Sequence, residues 1–483
     1  MLCPPESGRL DPVGERKVKR HTPQLFVDDF LIENRFDSHF LSANVPHVAH
    51  SPQRGDPLVW PDKPWEAERG CGYPGVVFDP QTQLFRLYYT VSHSLNKGKP
   101  DYPGSYFLCY AQSTDGLAWE KPDLELFPWG SETRTNIVLQ GKHEVHSANV
   151  HVAAGADDRV KNLDALPSRF LNDHRMIMYY CDAGHYLATS EDGIHWREQA
   201  CQLIANRIDC FHNILYDVQR QEFVSFLRNK LIFGGAKAPP DLQGNTRAIS
   251  RLASRDLWSS WDTMPTSVLI PDQGDAKRFY SMSAFHYGGI YWGLLHHLDE
   301  NPQTLDVELV FSRDGIDWKR LPDRPRLIPI GAPGTWDSGM IMSADRLIES
   351  GDEWWIYYSG ADYYHNAAPT PNKIGLAKLR KEGFVSLRAG SEVSYVLTRP
   401  FRWPGGRLFI NAKASTGSVR VRVVDLRRQL VAGFDYEDCK VFNGDAVRHP
   451  VSWNETELTS LEGDLIRLEF EFENADLFAF EAI

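Results

Sequence analysis

The order of hydrophobic and polar positions predicts short β-strands along most of the chain. Aromatic and β-branched runs such as Phe85–Tyr89, Met176–Tyr180 and Trp354–Tyr358 recur between clusters of turn-forming residues. Apolar stripes with a helical period and helix-capping signals are scarce. This pattern is typical of an all-β protein built from antiparallel strands.

One turn motif, S-x-D-G-x-x-W, indicates an internal repeat. Its copies begin at Ser113, Ser190 and Ser312, and a looser copy begins at Ser254. Short apolar strands precede each copy, so each unit is expected to hold four antiparallel strands. Repetition of such a unit along residues 1–383 predicts a five-bladed β-propeller.

The residues of these turns are predicted to be structural. Ser and Asp side chains in such a turn hydrogen-bond nearby backbone amides, and the Gly takes a positive φ. The Trp is expected to pack between neighbouring sheets. We therefore assign no catalytic role to Asp115, Asp192 or Asp314.

The pattern changes after Gly383. Apolar and polar residues now alternate, as in Ser418–Val424 and Leu465–Phe472. This alternation is typical of half-buried antiparallel strands. The predicted domains are a propeller over residues 1–383, with 1–23 as an N-terminal extension, and a C-terminal β-sandwich over 384–483.

Composition excludes several classes of protein. The chain has 483 residues, 42% of them hydrophobic, and a net charge of −12, which suits a globular protein of two domains. The acidic balance argues against a nucleic-acid partner, and no apolar stretch is long enough to span a membrane. The first residues lack an apolar signal segment, so we expect a cytoplasmic protein. A periplasmic or secreted location and a homo-oligomer stay open.

Candidate catalytic residues come from the expected convergence of inner strands. The innermost strand of each blade starts at the mouth of a central funnel, so polar residues just before those strands should meet in one pocket. Asp209 directly precedes an apolar strand, where a carboxylate needs a partner or a function. Asp337 and Glu308 are the other two candidates. The residues expected to bind substrate are Glu66, Arg69, His146, His212, Arg278, Tyr280 and Trp336.

A structural role is the alternative for each of these residues. Asp337 suits an ordinary turn, Glu308 a solvated strand face, and Glu66 a loop charge. The histidines suit hydrogen-bonded core positions.

The strand runs, the S-x-D-G-x-x-W turns and the trailing strands resemble two clans of five-bladed β-propeller glycosidases. These are the arabinanase and β-xylosidase clan and the invertase and levansucrase clan. The segments Leu25–Glu33, Ser312–Gly315 and Gly383–Leu387 are similar to bacterial proteins labelled glycosyl-hydrolase-like.

The resemblance implies three carboxylates at the inner-strand starts of the first three blades. They act as a nucleophile or base, an orienting Asp and a general acid. Asp209 occupies the position that resembles the acid, whereas the second blade has Glu144-Val-His146 and the first has Arg69-Gly-Cys71-Gly where an Asp is expected.

We therefore expect an exo-acting glycoside hydrolase for an oligosaccharide or a polysaccharide-derived substrate. Asp209 would be the acid, and Asp337 or Glu308 the base. Two alternatives stay open, namely a non-catalytic glycan-binding propeller and a phosphorylase that uses the same pocket. The phosphorylase predicts that Arg69, Arg278 and the histidines form a cationic cluster.

This chemistry requires no cofactor. Seven cysteines without a C-x-x-C pair predict neither a disulfide framework nor a zinc site. No metal ligand is assigned, although a Ca²⁺ ion in the central channel is compatible with converging carboxylates.

Overall fold

A computed structural model shows how the chain folds. It describes residues 15–37, 45–92, 106–141, 144–153, 159–182, 184–204, 213–233, 244–259, 261, 264–272, 274–275, 278–299, 301–454 and 456–483. These residues fall into two compact units, one over 52–378 and the other made of residues before 52 together with 379–483.

Strands dominate both units, and the described residues contain no α-helix. Short 3₁₀ helices lie at Pro64–Glu66, Ser168–Phe170 and Leu458–Leu461. Within the described ranges no helix is long and apolar enough to cross a membrane.

The strands are numbered in chain order. The first half contains β1 (Gln24–Leu25), β2 (Ile32–Asp37), β3 (His47–Ala49), β4 (Gln53–Arg54), β5 (Gly72–Asp79), β6 (Leu84–Ser92), β7 (Tyr106–Ser113), β8 (Ile137–Gln140), β9 (His146–Val152), β10 (Val160–Asn162), β11 (Met176–Cys181), β12 (His185–Ser190), β13 (Arg197–Ile204), β14 (Asn213–Asp217), β15 (Glu222–Phe233), β16 (Gly244–Ser254) and β17 (Thr266–Leu269). The second half contains β18 (Phe279–Tyr287), β19 (Ile290–Leu298), β20 (Leu305–Ser312), β21 (Trp318–Arg320), β22 (Arg326–Ile328), β23 (Met340–Ser343), β24 (Ile348–Ser350), β25 (Glu353–Ala361), β26 (Lys373–Arg380), β27 (Val385–Ala389), β28 (Ser394–Thr398), β29 (Phe401–Arg402), β30 (Leu408–Lys413), β31 (Ser418–Val424), β32 (Asp445–Pro450), β33 (Leu465–Glu473) and β34 (Ala475–Ala482).

Residues 52–378 form five successive antiparallel sheets, which are the blades of a β-propeller. The first three blades are β5–β8, then β9 with β11–β13, then β14–β17. The fourth blade is built on β18–β20 and the fifth on β23, β25 and β26, and one parallel bridge between Leu305 and Met340 joins them. The middle strands are the aromatic runs of the sequence. They are buried on both faces because blades pack on either side of each sheet.

The ring is closed by strands from its two ends. β4 pairs antiparallel with β26, with Arg54 opposite Ala377. The same segment continues the pairing at Val59 and Ile374. The fifth blade therefore contains the beginning and the end of the propeller sequence.

The acidic turns hydrogen-bond neighbouring blades of the ring to each other. In the first copy the Gly116 amide donates to Ser113 Oγ at 2.9 Å, and two further amides donate to Asp115. The Gly116 carbonyl accepts a hydrogen bond of 2.8 Å from Tyr357 of the fifth blade. Trp119 packs edge-on against the same tyrosine ring, with the ring centroids 5.8 Å apart. The turn residues are therefore structural, as expected.

Replacing Gly116 by Ala is expected to destabilise the propeller. The residue has φ of 73°, which costs an alanine about 1–2 kcal/mol. An added Cβ would also lie 2.6 Å from Tyr357 Oη, and such overpacking adds about 1–3 kcal/mol. Denaturant unfolding measures the loss. Gly351 is the matched control because its φ is 59° but a Cβ there meets nothing within 4 Å. Equal losses of stability in Gly116→Ala and Gly351→Ala would contradict a stabilising contact between Gly116 and Tyr357.

A buried carboxylate joins the first two blades at the end of β5. Asp79 pairs with Arg86 at 2.9 Å and with Arg175 of the second blade, and it accepts a hydrogen bond of 2.6 Å from Thr82. Burial alone would raise the pKa of Asp79, but the hydrogen bonds and the two guanidinium charges outweigh it and lower the pKa. The ionised form is therefore favoured in the folded state.

Acid is expected to destabilise the propeller partly through Asp79. A carboxyl group with a lowered folded pKa stabilises the fold at pH values above its unfolded pKa of about 3.9. This contribution is lost as the pH falls through the folded pKa. The Asp79→Asn variant should therefore be less stable at pH 7 and should lose less stability than the wild type from pH 5 to pH 2. Unfolding curves across that range test this. A stability profile of Asp79→Asn that runs parallel to that of the wild type from pH 5 to pH 2 would contradict it.

The second unit is a two-sheet sandwich. One sheet has the order β3-β27-β34-β30-β32, with β1 beside β34, and the other has β2-β28-β33-β29, with β31 beside β33. Both sheets contribute to one core, which includes Leu387, Ile410, Phe470 and Leu477. The outward-facing positions alternate with these, as in β31.

The unit boundaries differ from the predicted ones at the N-terminal side. The sequence prediction placed residues 24–51 with the propeller. In the structure β1, β2 and β3 pair with β34, β28 and β27. Their pairing partners all follow residue 384, so the propeller sequence is inserted between two parts of the sandwich.

Candidate active site

The starts of three inner strands line one cavity in residues 52–378. The inner strands are β5, β9, β14, β18 and β23. The cavity has a volume of about 200 Å³ and its lining includes Gly72 and Tyr73 of β5, Tyr280 of β18 and Met340 of β23. The other described lining residues are Arg69, Thr90, Ser92, Tyr106, Leu305, Met342, Tyr363, His365 and Asn372. Three blades therefore contribute inner-strand starts to the lining.

The second blade approaches the same place through His146. This residue begins β9, and its ring lies 5.9 Å from the rings of both Tyr73 and Tyr106. Nδ1 of His146 lies 2.6 Å from the Glu144 carbonyl oxygen. This contact with the backbone fixes the ring orientation beside the cavity.

Arg69 is positioned by a backbone contact between the first and fifth blades. Its carbonyl oxygen accepts from the Asn372 amide at 3.0 Å, and the Cys71 amide donates to the Asn372 carbonyl at 3.0 Å. Between them Gly70 has φ of 64°, and a Cβ there would lie 2.3 Å from the Asn372 oxygen. The close approach therefore requires glycine next to Arg69.

Two tyrosine hydroxyls meet in the cavity. Tyr73 Oη and Tyr280 Oη lie 2.9 Å apart. The Tyr280 ring makes an edge contact with the His365 ring at 5.4 Å, and the Arg228 guanidinium lies 4.8 Å from the Tyr280 ring centroid. Phenol hydroxyls and ring faces of this kind suit the polar and apolar faces of a sugar.

Several arginine charges act on the lining residue His365. Burial lowers the pKa of His365, and the charges of Arg247, Arg228, Arg278 and Arg69 lower it further. The imidazole is therefore neutral at pH 7 among four guanidinium groups. The described lining of the cavity contains no Asp or Glu.

The predicted substrate-binding residues fall into two groups. Arg69 and Tyr280 line the cavity, and His146 and Arg278 lie beside it. Trp336 does not line it. Its ring stacks on Tyr358 at 5.2 Å, in the interior of the fifth blade.

Glu66 was predicted to bind substrate, but it is not among the described residues that line the cavity. The carboxylate is completely buried. It accepts hydrogen bonds of 2.6 Å from Tyr89 and 2.7 Å from Lys121. These bonds hold the first blade together, and the residue does not line the cavity.

Two predicted catalytic carboxylates are held by arginines away from the cavity lining. Asp337 pairs with Arg54 at 2.8 Å and accepts from Tyr358 at 3.1 Å. Glu308 accepts from Arg320 at 2.6 Å and from Arg326 at 2.7 Å. Arginine side chains hydrogen-bond the oxygens of both carboxylates. We therefore interpret Asp337 and Glu308 as members of structural ion pairs.

Asp209 and His212 lie outside the described residues. In sequence they directly precede β14, the inner strand of the third blade. The role of Asp209 as the acid stays a prediction.

Sequence reasoning missed several residues of the cavity lining and two arginines that lie next to Tyr280. Arg228 and Arg247 come from the paired strands β15 and β16, and His365 and Asn372 come from the segment between β25 and β26. The sequence contains one signal for Arg228, because this charged residue directly follows the apolar run Phe223–Leu227 of a predicted strand.

No family model and no curated protein matches the sequence. Among solved structures, the catalytic domain of a Coprinopsis cinerea GH62 alpha-L-arabinofuranosidase is 12% identical, with a TM-score of 0.46, and the match covers 68% of this chain and 97% of that chain. A putative glycosidase from Bacteroides thetaiotaomicron is 15% identical, with a TM-score of 0.45 and coverage of 67% and 96%.

A third solved structure belongs to work on the GH130 family of mannoside phosphorylases, which contains glycoside hydrolases that target beta-1,2 mannosidic linkages in Candida mannan. It is 13% identical, with a TM-score of 0.46, and the match covers 70% of this chain and 96% of that chain. The stated activities are those of the three proteins. The propeller fold of this chain is shown by its own strand pairing.

The described residues provide no evident metal site. No group of three or more His, Cys, Asp or Glu side chains among them could hold a metal ion.

Proposed function

We propose that the protein is a glycoside hydrolase whose active site is the cavity at the inner-strand starts. The observation that carries this proposal is the convergence of Arg69, Tyr73, Tyr280 and His365, from the first, fourth and fifth blades, on one concave site. Polar groups that converge in one concave site of a rigid scaffold are the usual basis of a small-molecule site.

The size of the cavity supports action on a chain end. Its volume is about 200 Å³, below the range of about 300–1,000 Å³ common for drug-sized ligands. A site of this size suits one sugar ring better than several. We therefore propose exo-action on an oligosaccharide.

Hydrolysis needs an acid to protonate the leaving oxygen and a second group opposite it. We assign the acid to Asp209, on its sequence position before β14. We do not assign the base to Asp337 or Glu308, because each carboxylate is paired with an arginine away from the described cavity lining. The second group is left unassigned.

Product analysis tests the proposal. The full chain is incubated with a panel of neutral and acidic oligosaccharides, and the products are identified by mass spectrometry. Release of terminal sugars that carry one added water supports an exo-acting hydrolase. Absence of any product across the panel would contradict it, and glycan binding without product would favour the non-catalytic binding protein.

A glycoside phosphorylase is the second candidate, and the arginine charges near the cavity favour it. The charges of Arg69 and Arg278 both act on His365, and the phosphorylase alternative predicts these two arginines in one cationic cluster. Phosphate could occupy such a site through charge-assisted hydrogen bonds. Products that carry phosphate, formed only when inorganic phosphate is added, would support the phosphorylase over the hydrolase.

A further inference from the structure

We infer that Tyr73 is a specificity-determining residue whose ring, in contact with Tyr280, walls the cavity towards the second and third blades and limits it to one terminal sugar. The inference rests on the proposed glycoside-processing function, because it names what limits the ligand at the same site. Tyr73 is not among the binding residues predicted from the sequence.

The hydroxyl contact between Tyr73 and Tyr280 joins two blades that are not neighbours. Tyr73 belongs to the first blade, whose strand β5 contacts β9 of the second blade and β25 of the fifth. Tyr280 belongs to the fourth blade, which contacts β15 of the third blade and β23 of the fifth. The 2.9 Å contact between the two hydroxyl oxygens therefore crosses the inside of the ring.

The cavity lies on one side of this contact. Its described lining residues come from the first, fourth and fifth blades, and the fifth blade contributes side chains such as Met340 and His365. None of the described lining residues belongs to the second or third blade. The contact between Tyr73 and Tyr280 is therefore the border of the cavity towards those two blades.

Side chains of the second and third blades pack behind this border. The His146 ring of the second blade lies 5.9 Å from the Tyr73 ring. From the third blade, the guanidinium carbons of Arg228 and Arg247 lie 4.8 and 6.0 Å from the Tyr280 ring centroid. None of these three residues is in the described cavity lining, as expected for side chains that lie behind the two tyrosine rings.

Apolar packing holds the two rings in place. Tyr280 forms one buried cluster with Leu305, Met340 and Met342, and the Tyr73 ring packs against this cluster. The same three apolar side chains line the cavity. Because closely packed side chains resist displacement, a ligand is expected to stop at the tyrosine wall and not to push it aside.

The backbone at Tyr73 is unusual for a tyrosine. Its φ is 44°, which is unfavourable for a bulky residue, and a residue before proline ordinarily adopts an extended conformation. Between Gly72 and Gly75, β5 has one extra residue relative to its partner β6, so Tyr73 lies in a β-bulge. Bulges redirect side chains beside functional sites, and strained residues cluster there. We attribute this strain to the placement of the ring across the cavity.

Removing the ring should lengthen the ligand that the cavity accepts. Tyr73→Gly deletes the wall and relieves the backbone strain, because glycine tolerates a positive φ. Products from a panel of neutral and acidic oligosaccharides are identified by mass spectrometry, and the wild type should release single sugars. In Tyr73→Gly the ratio of disaccharide to monosaccharide products should rise at least about tenfold, the lower limit for discrimination by pocket size.

Binding measures the same limit without any cleavage. The probes for calorimetric titration of the full chain are xylose, arabinose, mannose and galactose, each with its linear trisaccharide. In the wild type each monosaccharide should bind about as tightly as its trisaccharide, because the added rings lie outside the cavity. In Tyr73→Gly a trisaccharide should bind at least about tenfold more tightly than its monosaccharide.

Two further variants separate the wall from a general effect on the fold. Tyr73→Phe keeps the ring and loses only the hydroxyl, so it should keep most of the length limit. Gln83→Gly is the matched control in the same blade, because Gln83 also has a positive φ, 57°, and is exposed. The control should give the products and affinities of the wild type. Thermal unfolding verifies that each variant is folded.

The outcomes separate this inference from the proposed function. Unchanged product lengths and affinity ratios in Tyr73→Gly, or a loss of the length limit in Tyr73→Phe as complete as in Tyr73→Gly, would overturn the inference. A changed affinity ratio without any product would support the inference and contradict the hydrolase. Release of single sugars by the wild type and Tyr73→Gly alike would support the hydrolase and overturn the inference. Absence of both binding and product would contradict both.

Discussion

Asp209→Asn is expected to reduce glycan turnover by about 10²- to 10⁴-fold and to leave thermal unfolding nearly unchanged. A sugar alkoxide is a poor leaving group unless it is protonated as the bond breaks, and an amide cannot supply that proton. Asp209 stands before β14 in sequence, and the starts of β5, β18 and β23 line the cavity. Initial rates and circular dichroism melting curves measure the two effects.

The leaving group offers a sharper test of the acid. An aryl glycoside with an acidic phenol needs little protonation, so Asp209→Asn should retain far more activity on it than on the oligosaccharide. Asp337→Asn serves as the contrast, because its carboxylate holds Arg54 and Tyr358. That variant should lose stability while its rate below the melting temperature is kept. Near-normal turnover of the oligosaccharide by Asp209→Asn would reject the assignment.

Glu66→Ala is expected to lower the free energy of unfolding by about 3–5 kcal/mol. The change removes the acceptor for Tyr89 and leaves the Lys121 ammonium, whose side chain is only 7% exposed, without its buried partner. A buried charge that loses its counter-ion is strongly destabilising. Urea unfolding of the purified chain measures the change.

The same lysine provides a matched control. Asp62 also pairs with Lys121, at 2.6 Å, but its side chain is 63% exposed. Asp62→Ala should therefore cost less than about 1 kcal/mol. If Glu66→Ala costs no more than Asp62→Ala, Glu66 is not the structural residue that its contacts indicate, and the substrate-contact role predicted from the sequence would be favoured.

The blade pattern was predictable because its determinants are local. The hydrogen bonds of Ser113 and Asp115 close within three residues, so the motif alone specifies the turn. The aromatic runs likewise show strands that are buried on both faces. Arg69 and Tyr280, two of the predicted substrate-binding residues, line the cavity, and their role in binding stays a prediction.

The ion-pair partners of individual carboxylates, and therefore their roles, could not be predicted from local sequence. Asp337 meets Arg54 across 283 positions of the chain, and only the closure of the ring brings them together. Sequence shows that a carboxylate lies near a strand start, but it does not show which cation the folded chain places beside it. The same holds for Arg228 and Arg247, whose approach to Tyr280 depends on packing between blades.

The N-terminal strands have a consequence for how the protein is made. Among the described residues, β1, β2 and β3 pair with strands that follow residue 384, yet they leave the ribosome before any of the propeller. At about 5–20 residues per second, synthesis of the inserted sequence takes about 15–65 s. During that time β1–β3 lack their partner strands, and unpaired strand edges are open to chaperones and to aggregation. The sandwich is therefore completed last, after its first and final strands are both available.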